Sequence, residues 1–208
     1  MYSPAVTAAP PDRMTVTPVV LSGHQVRLEP LDASHRDALR AAADDERIWR
    51  HTVAVARGDG FDRWFASAVA RRDAGTEFPF VVRTLADDRL VGSTRFLDPV
   101  PHHRRLEIGS TWYHPEVWGS KVNAACKYLL LSHAFEVLGA NRVELCTDVQ
   151  NQRSQAAIAK LGAVREGVLR SHMVVQGGRV RDSVLFSIVA TDWSAVKRRL
   201  EDTLARPP

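Results

Sequence analysis

Cysteine is scarce: two residues, Cys126 and Cys146, in 208. That is too few for a secreted disulfide scaffold, and their spacing matches no metal-type pair, so two buried free thiols in a reducing compartment are expected. No run is long and apolar enough to span a bilayer, and no membrane partner is expected. The N-terminus lacks a charged start followed by an apolar stretch, which argues against a secretory signal and makes the cytoplasm the expected location. Neither charge sign dominates: 28 Lys and Arg against 24 Asp and Glu leave +4. The basic residues are scattered, lack interleaved aromatics and carry no recognition motif, so nucleic acid is not an expected partner. The small excess suits an anionic ligand. Of the eight histidines, the adjacent His102 and His103 would point to opposite sides of a strand, a poor metal pair, and no metal is expected.

What is present reads as one domain over residues 19–208 behind a flexible tail, residues 1–18, rich in Pro, Ala and Thr. Met14 is an alternative start. Residues 19–31 read as a strand, and Asp32 as the N-cap of a helix through Ala43. A second helix over 60–73 places Phe61, Trp64, Phe65 and Ala68 on one face. Strands follow at 78–85 and 89–97 around the Asp87–Asp88 turn, and at 106–113. A long helix over 120–138 ends at Gly139, and a short strand spans 142–149. A helix over 151–161 stops at Gly162. Strands at 164–175 and 179–189 flank Gln176-Gly177-Gly178, and a last helix runs from 191 or 192 to about 204. Strands that pair locally yet alternate with helices predict a mixed α/β sheet with helices on both faces. The junction from strand 106–113 into the long helix is an anion-site candidate, because a helix N-terminus offers unpaired N–H groups and a positive dipole end.

Several stretches, in this order and spacing, carry a family resemblance. They are Leu106-Glu107-Ile108-Gly109 with His114-Pro115 after it, Trp118-Gly119-Ser120-Lys121-Val122-Asn123, Asn151-Gln152-Arg153-Ser154 leading to Lys160-Leu161-Gly162-Ala163, and Glu166-Gly167-Val168-Leu169-Arg170. The chain resembles the GNAT superfamily of acyl-CoA-dependent N-acyltransferases over residues 19–192, with its RimJ/RimL-type branch the nearer likeness. The resemblance implies a twisted, mostly antiparallel central sheet and an N-acetyltransferase that moves an acetyl group from acetyl-CoA to a primary amine, a protein N-terminus or a small molecule, in a ternary complex. It implies acetyl-CoA as co-substrate, an amine acceptor as partner, and leaves a homodimer open. The implied cofactor residues are Trp118, Gly119, Ser120, Lys121, Val122 and Asn123 at the pyrophosphate, Asn151 at the amide-rich arm, and backbone N–H groups of Ser110, Thr111 and Trp112 at the thioester. Two departures stand out: Lys121 occupies a usual glycine position, and Ile158 stands where many members have a tyrosine proton donor. They motivate one alternative, a non-catalytic acyl-CoA-binding protein; a separate alternative keeps the fold and changes the donor to succinyl-CoA.

Amide formation needs a neutral amine, a polarised thioester and a protonated leaving thiol. With Ile158 unable to donate, Ser154 is the candidate for protonating or orienting the thiol; the other reading is an ordinary first-turn residue behind an Asn151 cap. Glu107 is the candidate base; the other reading is a surface carboxylate paired with Arg104 or Arg105. Glu166 and Asp182 are weaker candidates. Trp49, His51 and Trp64 are acceptor-side candidates if the two early helices wall the acceptor pocket, and core aromatics otherwise.

Overall fold

The computed structural model describes residues 12–206. Eight strands form one sheet in the order β1-β2-β3-β4-β5-β6-β8-β7. They are β1 (Leu21–Gly23), β2 (Val26–Pro30), β3 (Glu77–Thr84), β4 (Leu90–Val100), β5 (Arg105–Tyr113), β6 (Arg142–Asp148), β7 (Val164–Val174) and β8 (Val180–Val189). Every pairing is antiparallel except β5 with β6. The helices are α1 (Arg36–Ala42), α2 (Asp59–Asp73), α3 (Val122–Ser132), α4 (Gln152–Leu161) and α5 (Trp193–Ala205).

Alternation along the central strands feeds two cores. Phe80 and Val82 of β3 join Leu106 and Ile108 of β5 against Cys126, Leu130 and Leu131 of α3 and Trp193 and Val196 of α5. Val81 between them points the other way and packs with Leu39 of α1 and Phe61, Phe65 and Ala68 of α2. Helices therefore cover both faces, as the order of elements predicts.

Local departures from the expected elements have physical causes. The single strand expected over 19–31 is a hairpin, β1 to β2, because His24 and Gln25 both take positive φ (49° and 65°) and turn the chain between two paired strands. Asp32 does cap, accepting from Ser34 N–H at 2.8 Å, but first closes a 3-10 turn over Ala33–His35 before α1 begins. The long helix starts at Val122 rather than 120 and widens into a π turn over His133–Val137, where Leu138 N–H reaches back to His133 O at 3.0 Å.

The expected boundary between tail and domain is also corrected. Residues 1–11 lie outside the described residues, but Met14 is 1% exposed in the larger core and its N–H donates to Pro101 O at 3.0 Å. Val16 and Val19 pack on the same core. Packed chain therefore begins before residue 19, since apolar side chains spaced along the Pro- and Thr-rich stretch find a core to enter.

Candidate functional site

The parallel pair β5–β6 is short. Only Arg105↔Arg142, Leu106↔Val143 and Glu107↔Glu144 are in register. Beyond them the strands part, β5 running on to Tyr113 and β6 to Asp148. The cause lies partly on the other side of β5. Ser93 of β4 faces Trp112 and Arg95 faces Gly109, so Ser110 and Thr111 oppose Thr94 alone. This is a β-bulge, and Ser110 holds φ at +47°, a left-handed conformation that costs a non-glycine residue energy. The bulge bends β5 away from β6 and leaves backbone polar groups on the parting edges without a strand partner.

A cleft of about 990 Å³ occupies this gap. Its mouth is the loop into α3. There Gly119 takes φ +77° and an added Cβ would meet nothing within 4 Å, so the backbone stands open to a ligand. Trp118 is fixed by its indole N–H on Tyr113 O at 2.8 Å and by the Arg153 guanidinium 3.8 Å above its ring. Ser120 Oγ accepts from Val122 N–H at 3.3 Å, while the N–H groups of Asn123 and Ala124 meet no backbone acceptor among the described residues.

Lys121 takes an ordinary helical conformation, φ −78° and ψ −4°, so its place at a usual glycine position carries no backbone strain. Its ammonium turns away from the cleft to Leu204 O at 2.9 Å and to Arg206 O at the end of α5. Helix-end carbonyls, themselves short of partners, take the Lys121 ammonium in place of the cleft. The side chains of Lys121 and Val122 do not border the cleft.

The other sequence candidates converge on this one cleft: Trp49, His51, Trp64, Glu107, Ser110, Thr111, Trp112, Trp118, Gly119, Ser120, Asn123, Asn151 and Ser154 all line it. Asn151 Oδ1 accepts from Ser154 N–H at 3.0 Å and so caps α4; its amide N–H₂ remains for other use. Trp49, Trp64 and Trp112 form one aromatic wall, with ring centroids 5.3 and 5.9 Å apart, and Trp49 donates to Ala43 O at 2.9 Å. They serve as both core and cleft wall.

Glu107 is half-buried beside Gly109, where an added Cβ would lie 2.6 Å from Glu107 Oε1. Burial, with Asp98 and Glu144 adding repulsion, pushes its carboxyl up to about 7 against the pull of Arg181 and Lys127. The expected pairing with Arg105 is not found; Arg105 reaches Glu144 instead, at 3.7 Å. Glu166 is held by Arg142 and the Ser187 hydroxyl, which bring it down to about 2, so it stays ionised in an ion pair. Asp182 accepts from Ser171 N–H at 2.7 Å.

Sequence reasoning missed Lys127, Arg181, Arg95 and Cys146, all of which border the cleft. Lys127 donates to Thr111 Oγ1 at 3.2 Å, and burial lowers its ammonium to about 8. Arg95 is bonded to Glu77 at 2.6 Å, and Glu77 also accepts from Arg71 at 2.7 Å. Cys126 is a buried free thiol as expected, pushed up to about 12, whereas Cys146 is only half-buried. A signal for Lys127 was present: it stands three and four residues before Leu130 and Leu131, on the core stripe of α3.

The family profile described as acetyltransferase (GNAT) domain matches residues 25–164. The chain belongs to the GNAT acetyltransferase family. A Bacillus subtilis (strain 168) protein named "Putative ribosomal N-acetyltransferase YdaF" is 35% identical over 115 residues. The match covers 54% of this chain and 61% of that protein, so the chain spans about three fifths of that curated relative. Among solved structures, a GCN5-related N-acetyltransferase from Brucella melitensis is 28% identical, with a TM-score of 0.84 over 93% of this chain and 89% of its own. Mycobacterium smegmatis RimJ in complex with CoA-disulfide shares the fold at 22% identity, TM-score 0.73, over 93% and 95% of the two chains. The mostly antiparallel sheet and its single parallel pair are thus the GNAT arrangement. Among the described residues, no helix is long and apolar enough to cross a membrane, and no group of three or more His, Cys, Asp or Glu side chains could hold a metal ion.

Proposed function

We propose that this chain is an acyl-CoA-dependent N-acyltransferase that moves an acetyl group from acetyl-CoA to a primary amine by direct attack in a ternary complex. The observation that carries this reading is the parting of β5 and β6 after Glu107, which opens a cleft between the mouth at Gly119 and the aromatic wall. The names of the related YdaF and the CoA-disulfide bound to RimJ support it. Bound acetyl-CoA would supply the activated thioester carbonyl.

The protein's own groups divide the remaining work. Open backbone at Gly119 and N–H groups of the first α3 turn suit a pyrophosphate. The Asn151 amide would donate to the amide-rich arm, and backbone N–H groups of Ser110 and Thr111, on the bulge, would polarise the thioester carbonyl, while Trp112 lies in register with Ser93. Glu107, held near neutrality, accepts the proton that the attacking amine sheds. Ser154, at the start of α4 with its side chain in the cleft, orients or protonates the departing thiol, the role that Ile158 cannot fill. Because the Lys121 ammonium is engaged with α5, it does not obstruct the cofactor loop, which removes one motive for a non-catalytic reading.

The acceptor is a protein N-terminus or a small-molecule amine, and the exposed edge strand β7 is the surface through which two copies would pair. Calorimetric titration with acetyl-CoA tests the core of the reading. Binding with a Kd of about micromolar order, roughly −8 kcal/mol, is expected; no measurable heat across that range would sink it.

A further inference from the structure

Two buried cations border the cleft without a full set of partners. Lys127 is 5% exposed and Arg181 6%. One of the three donors of the Lys127 ammonium goes to Thr111 Oγ1, which itself shares a 2.7 Å bond with Thr94 Oγ1. Arg181 Nε is buried without an acceptor, and the partner found beside Arg181 and Ser183 is the neutral Cys146 thiol. The fields of both cations reach Glu107. The other carboxylates that act on Glu107 are taken or solvated: Glu144 accepts from Arg142 at 2.9 Å, and Asp98 is exposed at the rim.

Arg181 also reaches the buried Asp148, but Asp148 is paired with Arg179. With Glu107 as the carboxylate left to them, Lys127 and Arg181 leave a positive charge in excess where water is scarce. Such an excess is costly unless an anion completes it. The imbalance extends along the cleft, which seven Lys and Arg side chains line against three Asp and Glu. Resting on the acyl-transfer reading above, we propose that Lys127 and Arg181 form a carboxylate-binding subsite, so that one of the two substrates carries a carboxylate into the cleft. That carboxylate has two chemical sources. One is the far end of a dicarboxylic acyl group on the donor, because Lys127 touches Thr111, whose backbone is one of the groups assigned to the thioester. The other is an acceptor amine that is itself an acid, such as an amino acid. In either case a polyamine is a poor acceptor, since its several positive charges would meet a surplus of the same sign.

The test has two arms, each run on the wild type and on K127M and R181M, with a thermal melt to establish that each variant folds and K127R as the charge-keeping control. The first arm titrates acetyl-CoA and succinyl-CoA by calorimetry. The second compares KM for amino acids and for their carboxamides. A charged hydrogen-bonded contact predicts at least about tenfold preference for the carboxylate-bearing ligand in one arm, lost in K127M and R181M and retained in K127R. Preference in the first arm assigns the carboxylate to the donor; preference in the second assigns it to the acceptor. Equal behaviour in both arms, or a preference that survives both methionine variants, overturns the subsite. Failure of both thioesters to bind overturns the acyl-transfer reading instead.

Discussion

At Glu107, one carboxyl group bordering the cleft titrates near neutrality, as the base proposed for it requires. Asp98 and Glu144 push it up, Arg181 and Lys127 pull it down, and burial outweighs them all, giving about 7. A base with that value is ionised above pH 7 and idle well below it. The expected rate therefore climbs through about pH 7, and E107Q should flatten the climb, lowering kcat by roughly a hundredfold above it and little below pH 6; a pH–rate profile of both proteins checks this. The same shift has a sign for stability. Because the folded value lies above the ordinary 4.5, the contribution is fully present below that value and is lost as pH rises through about 7. For Ser154, S154A should reduce kcat about tenfold with acetyl-CoA affinity unchanged, read by kinetics beside calorimetry; unchanged turnover would leave Ser154 only as a first-turn residue behind the Asn151 cap. Most cleft residues were legible through the family resemblance, whose motifs mark a loop, a strand and a helix start that meet at the cleft. Lys127 and Arg181 were not, since a cation on a buried stripe reads as a surface residue until the packing shows what encloses it.

The element that organises the cleft is β5, bent by its bulge against β4. Gly92 permits their close approach: a Cβ there would stand 2.3 Å from Trp112 O, a backbone atom that has no side-chain freedom to yield. G92A should therefore force the two strands apart, cost about 1–3 kcal/mol in denaturant unfolding and weaken acetyl-CoA binding together; a loss of stability with unchanged affinity would detach the bulge from the cleft. Strands and helices could be read from periodicity and punctuation, and their order led to the mixed sheet. The bulge could not, because Ser110 is no glycine and its +47° φ is imposed by the pairing of β5 with β4. The hairpin at His24 and Gln25 escaped for the same reason, and the π turn ending α3 because widening a last turn leaves no mark in composition.

At the scale of the molecule, Met14 is already part of the larger core among the described residues. Its side chain fills a position in the same core as Phe80, Phe96 and Leu130, so M14A should cost about 2–5 kcal/mol, measured as a lower denaturant midpoint. A change within error would return the segment to the tail that its Pro- and Thr-rich composition suggests. That composition hid the boundary: three apolar residues, Met14, Val16 and Val19, are too few to form a periodic pattern, yet enough to cover one edge of the core.

The bond from the Lys121 ammonium to the last carbonyls of α5 ties the mouth of the cleft to the far end of the chain. Arg206, one of the two acceptors, lies just past the last turn of α5. Cutting the chain before Arg206 would remove part of the strut that steadies the loop into α3. Protein that keeps α5 and Arg206 whole is the material to titrate.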